Sequence, residues 1–210
     1  MCFSFQKTPK ELDRYDSSGR TYILSAAFVY QLDIVLELLD AGANPSLPEK
    51  DSLDGLLHFL AKTREPEDAA QFAILKKIVT GALFKGLSPD AQNALGMSAL
   101  HCAVRSGSYG MVAMLLQHGA APNLRDSAGE TPLHLCVSSK LPGFCSTATL
   151  LVSSGADPNA LDDGGISPLL FLQAQPAPQP KEVRDLIARM MARNREPDSA
   201  ATAGIEIVSG

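Results

Sequence analysis

The sequence predicts an all-α fold, a solenoid of stacked helix-turn-helix units joined by short finger loops, and three observations carry that reading. First, a segment recurs: with Thr21, Gly55, Ser98, Thr131 and Ser167 as origins, the spacings are 34, 43, 33 and 36 residues, the period of a stacked repeat. Second, apolar residues within the units fall on one helical stripe, as in Ile34, Val35, Leu38 and Leu39, and again in Met111, Val112, Leu115 and Leu116. Third, Gly42, Gly119 and Gly155 follow these stripes, and glycine accepts the left-handed backbone that closes a helix.

The elements follow in order. Each origin begins a short inner helix, read at Ile23 to Phe28, Leu57 to Ala61, Leu100 to Arg105 and Leu133 to Val137, with Pro132 and Pro168 in a first turn that tolerates a missing N–H. An outer helix follows each. From origin to closing glycine the intervals are 21, 31, 21 and 24 residues, whereas from glycine to next origin they are 13, 12, 12 and 12, so extra length lies inside the helical pairs. In the second unit, Glu65-Pro66-Glu67-Asp68 reads as a helix start with acidic residues at the positive dipole end, and Phe72, Leu75, Ile78, Val79 and Ala82 supply the apolar face of a long outer helix. In the fifth, Ser167 to Leu172 opens an inner helix. Lys181 to Asn194 then places Val183, Leu186, Ile187, Met190 and Met191 on one face, as a terminal cap requires. Residues 1–15 and 195–210 show no sustained pattern and are expected to be flexible.

Particular residues carry a family resemblance. The run Asp126 to His134 ends in an intact Thr131-Pro132-Leu133-His134, and Ser98 to Gly107 continues through Met111 to Asn123 as a complete two-helix unit with a Gly119-Ala120 close. This resembles the ankyrin-repeat family over about residues 16–193, and the resemblance implies an ankyrin-repeat solenoid over 16–194. Its five repeats would be about 16–47, 48–88, 90–124, 125–160 and 161–194, the second degenerate and carrying an insertion.

Composition narrows the function. With 18 Lys plus Arg against 23 Asp plus Glu, the net charge of -5 gives no basic field to hold a nucleic-acid backbone or an anionic membrane. The longest apolar run, Met111 to Leu116, is far too short to span a bilayer. The start of the chain lacks secretory character, and the four cysteines (Cys2, Cys102, Cys136 and Cys145) have no paired spacing, so reduced thiols and a cytoplasmic setting are expected, with the nucleus left open.

Catalytic patterns are missing too. His58, His101 and His134 recur at one repeat position, about 10 Å apart by helix stacking, too far to share a metal. The resemblance implies that they tie neighbouring loops together instead. Gly81 to Ser88 mimics a phosphate loop but has Leu87 where lysine is needed and a helix where a strand should precede it. No cofactor or metal is expected, and the chain reads as a non-enzyme.

What the resemblance implies is a non-catalytic protein-interaction module, a scaffold, adaptor or occluding inhibitor, monomeric alone, that holds a protein partner in a concave groove. Carried over position by position, that groove comprises Arg20, Phe28, Val29, Leu95, Met97, Arg105, Glu130 and Ile166. Aromatic, Met and Arg side chains of this kind are enriched at interfaces. The insertions at Lys62 to Asp68, Ser139 to Cys145 and Gln173 to Pro180 share one edge, and the middle one offers Leu141 and Phe144 as a second candidate surface. Two other readings stay open: an effector acting on a host-cell protein, and a small-molecule binder or enzyme. The resemblance also marks Asn123 and Asn159 as candidate hydroxylation sites.

Overall fold

A computed structural model describes residues 8–193, apart from 64, 65, 67, 140 and 177–179. A short α1 (Pro9–Leu12) precedes five helix pairs: α2 (Tyr22–Phe28) with α3 (Leu32–Asp40), α4 (Leu56–Lys62) with α5 (Ala69–Phe84), α6 (Ala99–Ser106) with α7 (Tyr109–Gln117), α8 (Pro132–Ser139) with α9 (Phe144–Ser153), and α10 (Pro168–Gln173) with α11 (Lys181–Arg193). The inner helices α2, α4, α6, α8 and α10 pack in one row. In the outer layer α5 lies against α3, and α9 lies between α7 and α11. One apolar core runs the length of the stack, from Leu12 through Leu56, Leu100 and Leu151 to Met190.

Local chemistry explains the boundaries. α5 begins at Ala69 with Asp68 as its cap, the carboxylate accepting from the Ala70 N–H at 3.1 Å, so the helix starts one residue after Asp68; Glu65 and Glu67 fall outside the described residues. α10 opens on Ser167, whose hydroxyl accepts from the Leu170 N–H. In α11, Leu186 and Met190 are buried as its apolar face requires.

The segment expected to be flexible up to residue 15 is corrected for its second half. Leu12 is fully buried, and the Asp13 carboxylate accepts from the Asn44 N–H at 2.8 Å. A first repeat has an open core face, and α1 covers part of it. The tail 195–210 lies outside the described residues.

The fingers are rigid because they touch. Gly96 has φ 69°, and a Cβ there would stand 2.8 Å from the Ser127 backbone nitrogen in the next finger. Gly119 has φ 83° but open space around it. Gly96→Ala is therefore expected to cost about 2–3 kcal/mol, the conformational penalty plus a backbone clash, against about 1 kcal/mol for Gly119→Ala. Thermal denaturation of the two variants checks this; equal losses would contradict the close approach of the fingers.

Candidate partner-binding face

The face is built from backbone upward. In each of four fingers one side chain gathers the turn's N–H groups. Asp16 Oδ1 accepts from Ser18 and Arg20, Asn93 Oδ1 from Leu95 and Met97, Asp126 Oδ1 from Ala128 and Glu130, and Asp162 Oδ1 from Ile166. The histidines join these fingers to the inner helices. His58 Nδ1 accepts from the Gly55 N–H while its Nε2 lies 2.9 Å from the Met97 carbonyl; His101 relates Ser98 to Glu130, and His134 relates Thr131 to Ile166, in the same way. Because Nδ1 accepts from a backbone N–H, each ring is the Nε2–H tautomer and donates to the next finger.

This arrangement sets a pH dependence. Burial pushes the His58 and His101 imidazoles below the ordinary 6.5, against the opposing pull of the carbonyls they meet. A proton on Nδ1 would also remove the acceptor for the helix's first N–H. The unfolded chain thus takes up protons near pH 6.5 before the folded one does, so the contribution to stability is complete above that pH and declines as pH falls below it. The melting temperature is expected to drop between pH 6.5 and 5, ahead of carboxylate titration; a flat profile there would contradict it.

The first repeat solves the same problem differently. Leu24 stands where the histidine would be, and Thr21 Oγ1 is buried without a hydrogen-bond partner. Fingers one and two are joined instead by Arg20 Nε to Glu49 Oε1 at 2.6 Å, and by the Lys50 N–H donating to the Gly19 carbonyl. Asp54, 3% exposed, is the hub of the second finger: it pairs with Lys62 and accepts from Ser52 Oγ and from Asn93 Nδ2 at 2.9 Å. Burial opposes ionisation of Asp54, but the bonds from Lys62, Asn93 and Ser52 outweigh it and hold the carboxyl below its usual value.

On this scaffold the groove residues divide. Phe28 is 55% exposed, yet it is held in place by the Arg20 guanidinium 4.0 Å over its ring and by an edge contact to Phe59. Val29 and Arg105 are exposed, Leu95 is 59% and Ile166 44% exposed, and Arg20 and Glu130 are half-buried. Burial also raises the Glu130 carboxyl.

Met97 is a correction: at 3% exposure it belongs to the core. Its backbone is engaged by His58 and Asn93, and an Arg105 guanidinium nitrogen lies 3.5 Å from its sulfur, closing over it. The second candidate surface is also drawn inward. Leu141 is half-buried with its Cδ1 over Gly107, and Phe144 is half-buried around a cavity of about 250 Å³ with Phe171 and Val183.

The sequence reading missed Leu53, Phe59, Glu49 and Asp54. The second finger has no glycine at its tip, so the signal that marks the other tips is lacking there.

Other chemistry is sparse. Among the described residues no cluster of three or more His, Cys, Asp or Glu could hold a metal, and no helix is long and apolar enough to cross a membrane. Burial pushes the Cys102 thiol up to about 11 and Cys136 to about 12, so both stay protonated at neutral pH. Asn123 Nδ2 donates to the Gly155 carbonyl and its Oδ1 accepts from the Asp157 N–H, tying two repeats together.

The family model for ankyrin repeats (3 copies) matches residues 66–162. Residues 66–162 are ankyrin repeats. The first and last helix pairs continue the same stack on either side of the matched ankyrin segment. Among curated proteins, the chain is 38% identical over 99 residues to human palmitoyltransferase ZDHHC13, a match covering 47% of this chain and 14% of that one. It is 49% identical over 53 residues to the ADP-ribosylation factor GTPase-activating protein AGD2 of Arabidopsis thaliana, covering 25% and 7%. A third relative is the transient receptor potential cation channel subfamily A member 1 homolog of Caenorhabditis elegans, 36% identical over 87 residues, covering 41% and 6%. The chain thus spans less than a fifth of the length of the curated relatives it matches. Ankyrin repeats are in general protein-interaction modules, and that much holds for this stack.

Proposed function

We propose that this ankyrin stack is a non-catalytic interaction module, a scaffold, adaptor or occluding inhibitor, that holds a protein partner on its concave face. The observation that carries this reading is the exposure of Phe28, Val29, Leu95 and Ile166 along the inner-helix and finger layer, beside Arg20 and Arg105. Large apolar side chains at solvent are the signature of an interaction site when they line one face of a rigid scaffold. Phe28 is already fixed by Arg20 and Phe59, so little side-chain freedom is lost when a partner covers it. The finger ties through His58, His101 and His134 keep the spacing of the contact row constant. Action is then by tethering or occlusion, and the consequence belongs to the protein held.

Photo-crosslinking tests this. Benzoylphenylalanine placed at Leu95 is expected to capture a partner in native lysate, while the same group at Phe84, 93% exposed at the end of an outer helix, captures none. Adducts at position 84 with none at 95 would overturn the concave-face reading.

A further inference from the structure

We propose that the cleft between the second and third repeats receives one uncharged aromatic side chain of a protein partner; this rests on the partner-binding reading and gives it a specificity. The cleft encloses about 220 Å³ and is walled by Pro45, Pro48, Leu53, Leu56, Leu87 and Pro89. That is below the roughly 300–1,000 Å³ of clefts that take drug-sized ligands, and it suits a single ring. Three of these wall residues are prolines, whose fixed φ holds the loops in place before anything binds.

Charge decides the occupant. Among the described residues no Asp, Glu, Lys or Arg lines the cleft. Of the polar side chains that reach it, His58 accepts from the Gly55 N–H and donates to the Met97 carbonyl, Gln92 Nε2 donates to the Arg125 carbonyl at 2.9 Å, and Ser88 Oγ accepts from the Asp90 N–H, so hydroxyls of Ser46 and Ser88 are the polar groups left at the wall. A charged group entering would shed its hydration with no opposite charge and only serine hydroxyls to replace it, so the walls favour a neutral apolar ring.

Leu53 gives an independent reason. It stands at the second finger tip with φ 56°, in the place that Gly19, Gly96, Gly129 and Gly165 fill in the other four fingers at φ between 69° and 74°. A branched side chain is strained in that left-handed region, and this one is also 46% exposed. The exposed part of this side chain packs on nothing among the described residues, whereas a lip closing over an inserted ring uses both the position and that apolar surface.

The test uses the full chain, labelled for amide NMR and titrated with N-acetyl-tryptophanamide, with N-acetyl-aspartate amide as the charged comparison. Saturable shifts at Leu53, Leu56 and Ala91 are expected from the first compound and none from the second. Leu53→Gly is expected to raise the melting temperature while weakening the probe about tenfold, two changes of opposite sign that a packing role would not produce. Ala91→Leu, from an exposed rim position, is expected to block the cleft without unfolding the chain. Absence of saturable shifts, equal saturation by the aspartate compound, or a Leu53→Gly chain that binds the probe as tightly as the parent would each overturn the proposal. Crosslinking at Leu95 is independent of the cleft, so the partner face can stand if the cleft fails.

Discussion

Replacing Asp54 with alanine is expected to destabilise the stack by about 3 kcal/mol, because a buried carboxylate with several partners is removed and the partners stay behind. Lys62 would lose its counter-ion, and Asn93 and Ser52 would lose an acceptor inside the second finger. Lys62 itself reaches solvent, so it can rehydrate and the loss stays below that of a fully enclosed pair. For a chain of this length the melting temperature should fall by about 6–12 °C. Asp54→Asn separates charge from shape: it keeps an acceptor for Asn93 but loses the ion pair, and it should fall between wild type and Asp54→Ala. An alanine variant that melts like the parent would remove Asp54 from its place as the hub. The depressed carboxyl also fixes the acid limb. Its contribution is complete above the unfolded value of 3.8 and is lost as pH falls through the lower folded value.

The second large effect is expected at His101. This ring is fully buried, accepts from the Ser98 N–H at 3.1 Å, lies 2.9 Å from Ser98 Oγ, and meets the Glu130 carbonyl at 3.2 Å. His101→Leu preserves bulk but leaves a helix-start N–H, a hydroxyl and a carbonyl unpaired, at a cost of about 2–4 kcal/mol. Repeat one already carries that exchange, with Leu24 at the equivalent place and Thr21 Oγ1 unpartnered, and there the Arg20–Glu49 pair links the fingers instead. No such pair joins fingers three and four among the described residues, so amide exchange in the fourth finger, around Ser127 to Glu130, should speed up in the variant. Unchanged exchange there would mean that the bonds from the Ser127 N–H to the Leu95 carbonyl and from Gln92 Nε2 to the Arg125 carbonyl suffice.

How much of this was legible in the sequence follows from which forces repeat. The helix pairs were readable because burying one helical face against the next requires the same apolar spacing each time, and Leu57, Leu100 and Leu133 obey it. The recurrence of the histidines was readable in the spacing, and their role as ties came from the family resemblance. Helix α1 was not, since four residues are too few to show a period, and packing on the first repeat holds it together with the bonds from Thr8 to the Glu11 carboxylate.

Side-chain direction at the finger tips was also hidden. Arg20, Met97, Glu130 and Ile166 occupy one register position, yet Met97 is buried beneath Arg105 while Ile166 is 44% exposed. The second finger departs from the pattern altogether. Its polar hub at Asp54 and its strained tip at Leu53 depend on contacts 39 residues away and on a backbone angle, neither of which spacing reveals.

The central claim is that the concave face holds a protein. It is tested most directly by affinity capture from native lysate, comparing the parent chain with a Leu95→Glu, Ile166→Glu double variant whose melting temperature is first shown to be unchanged. Both side chains are exposed, so the variant should fold, and two charges in an apolar contact row should weaken retention at least about thirtyfold, the loss of one interface hot spot. A protein retained by the parent and lost by the variant is the expected result; equal retention by both would contradict the claim and remove the concave face as the working surface.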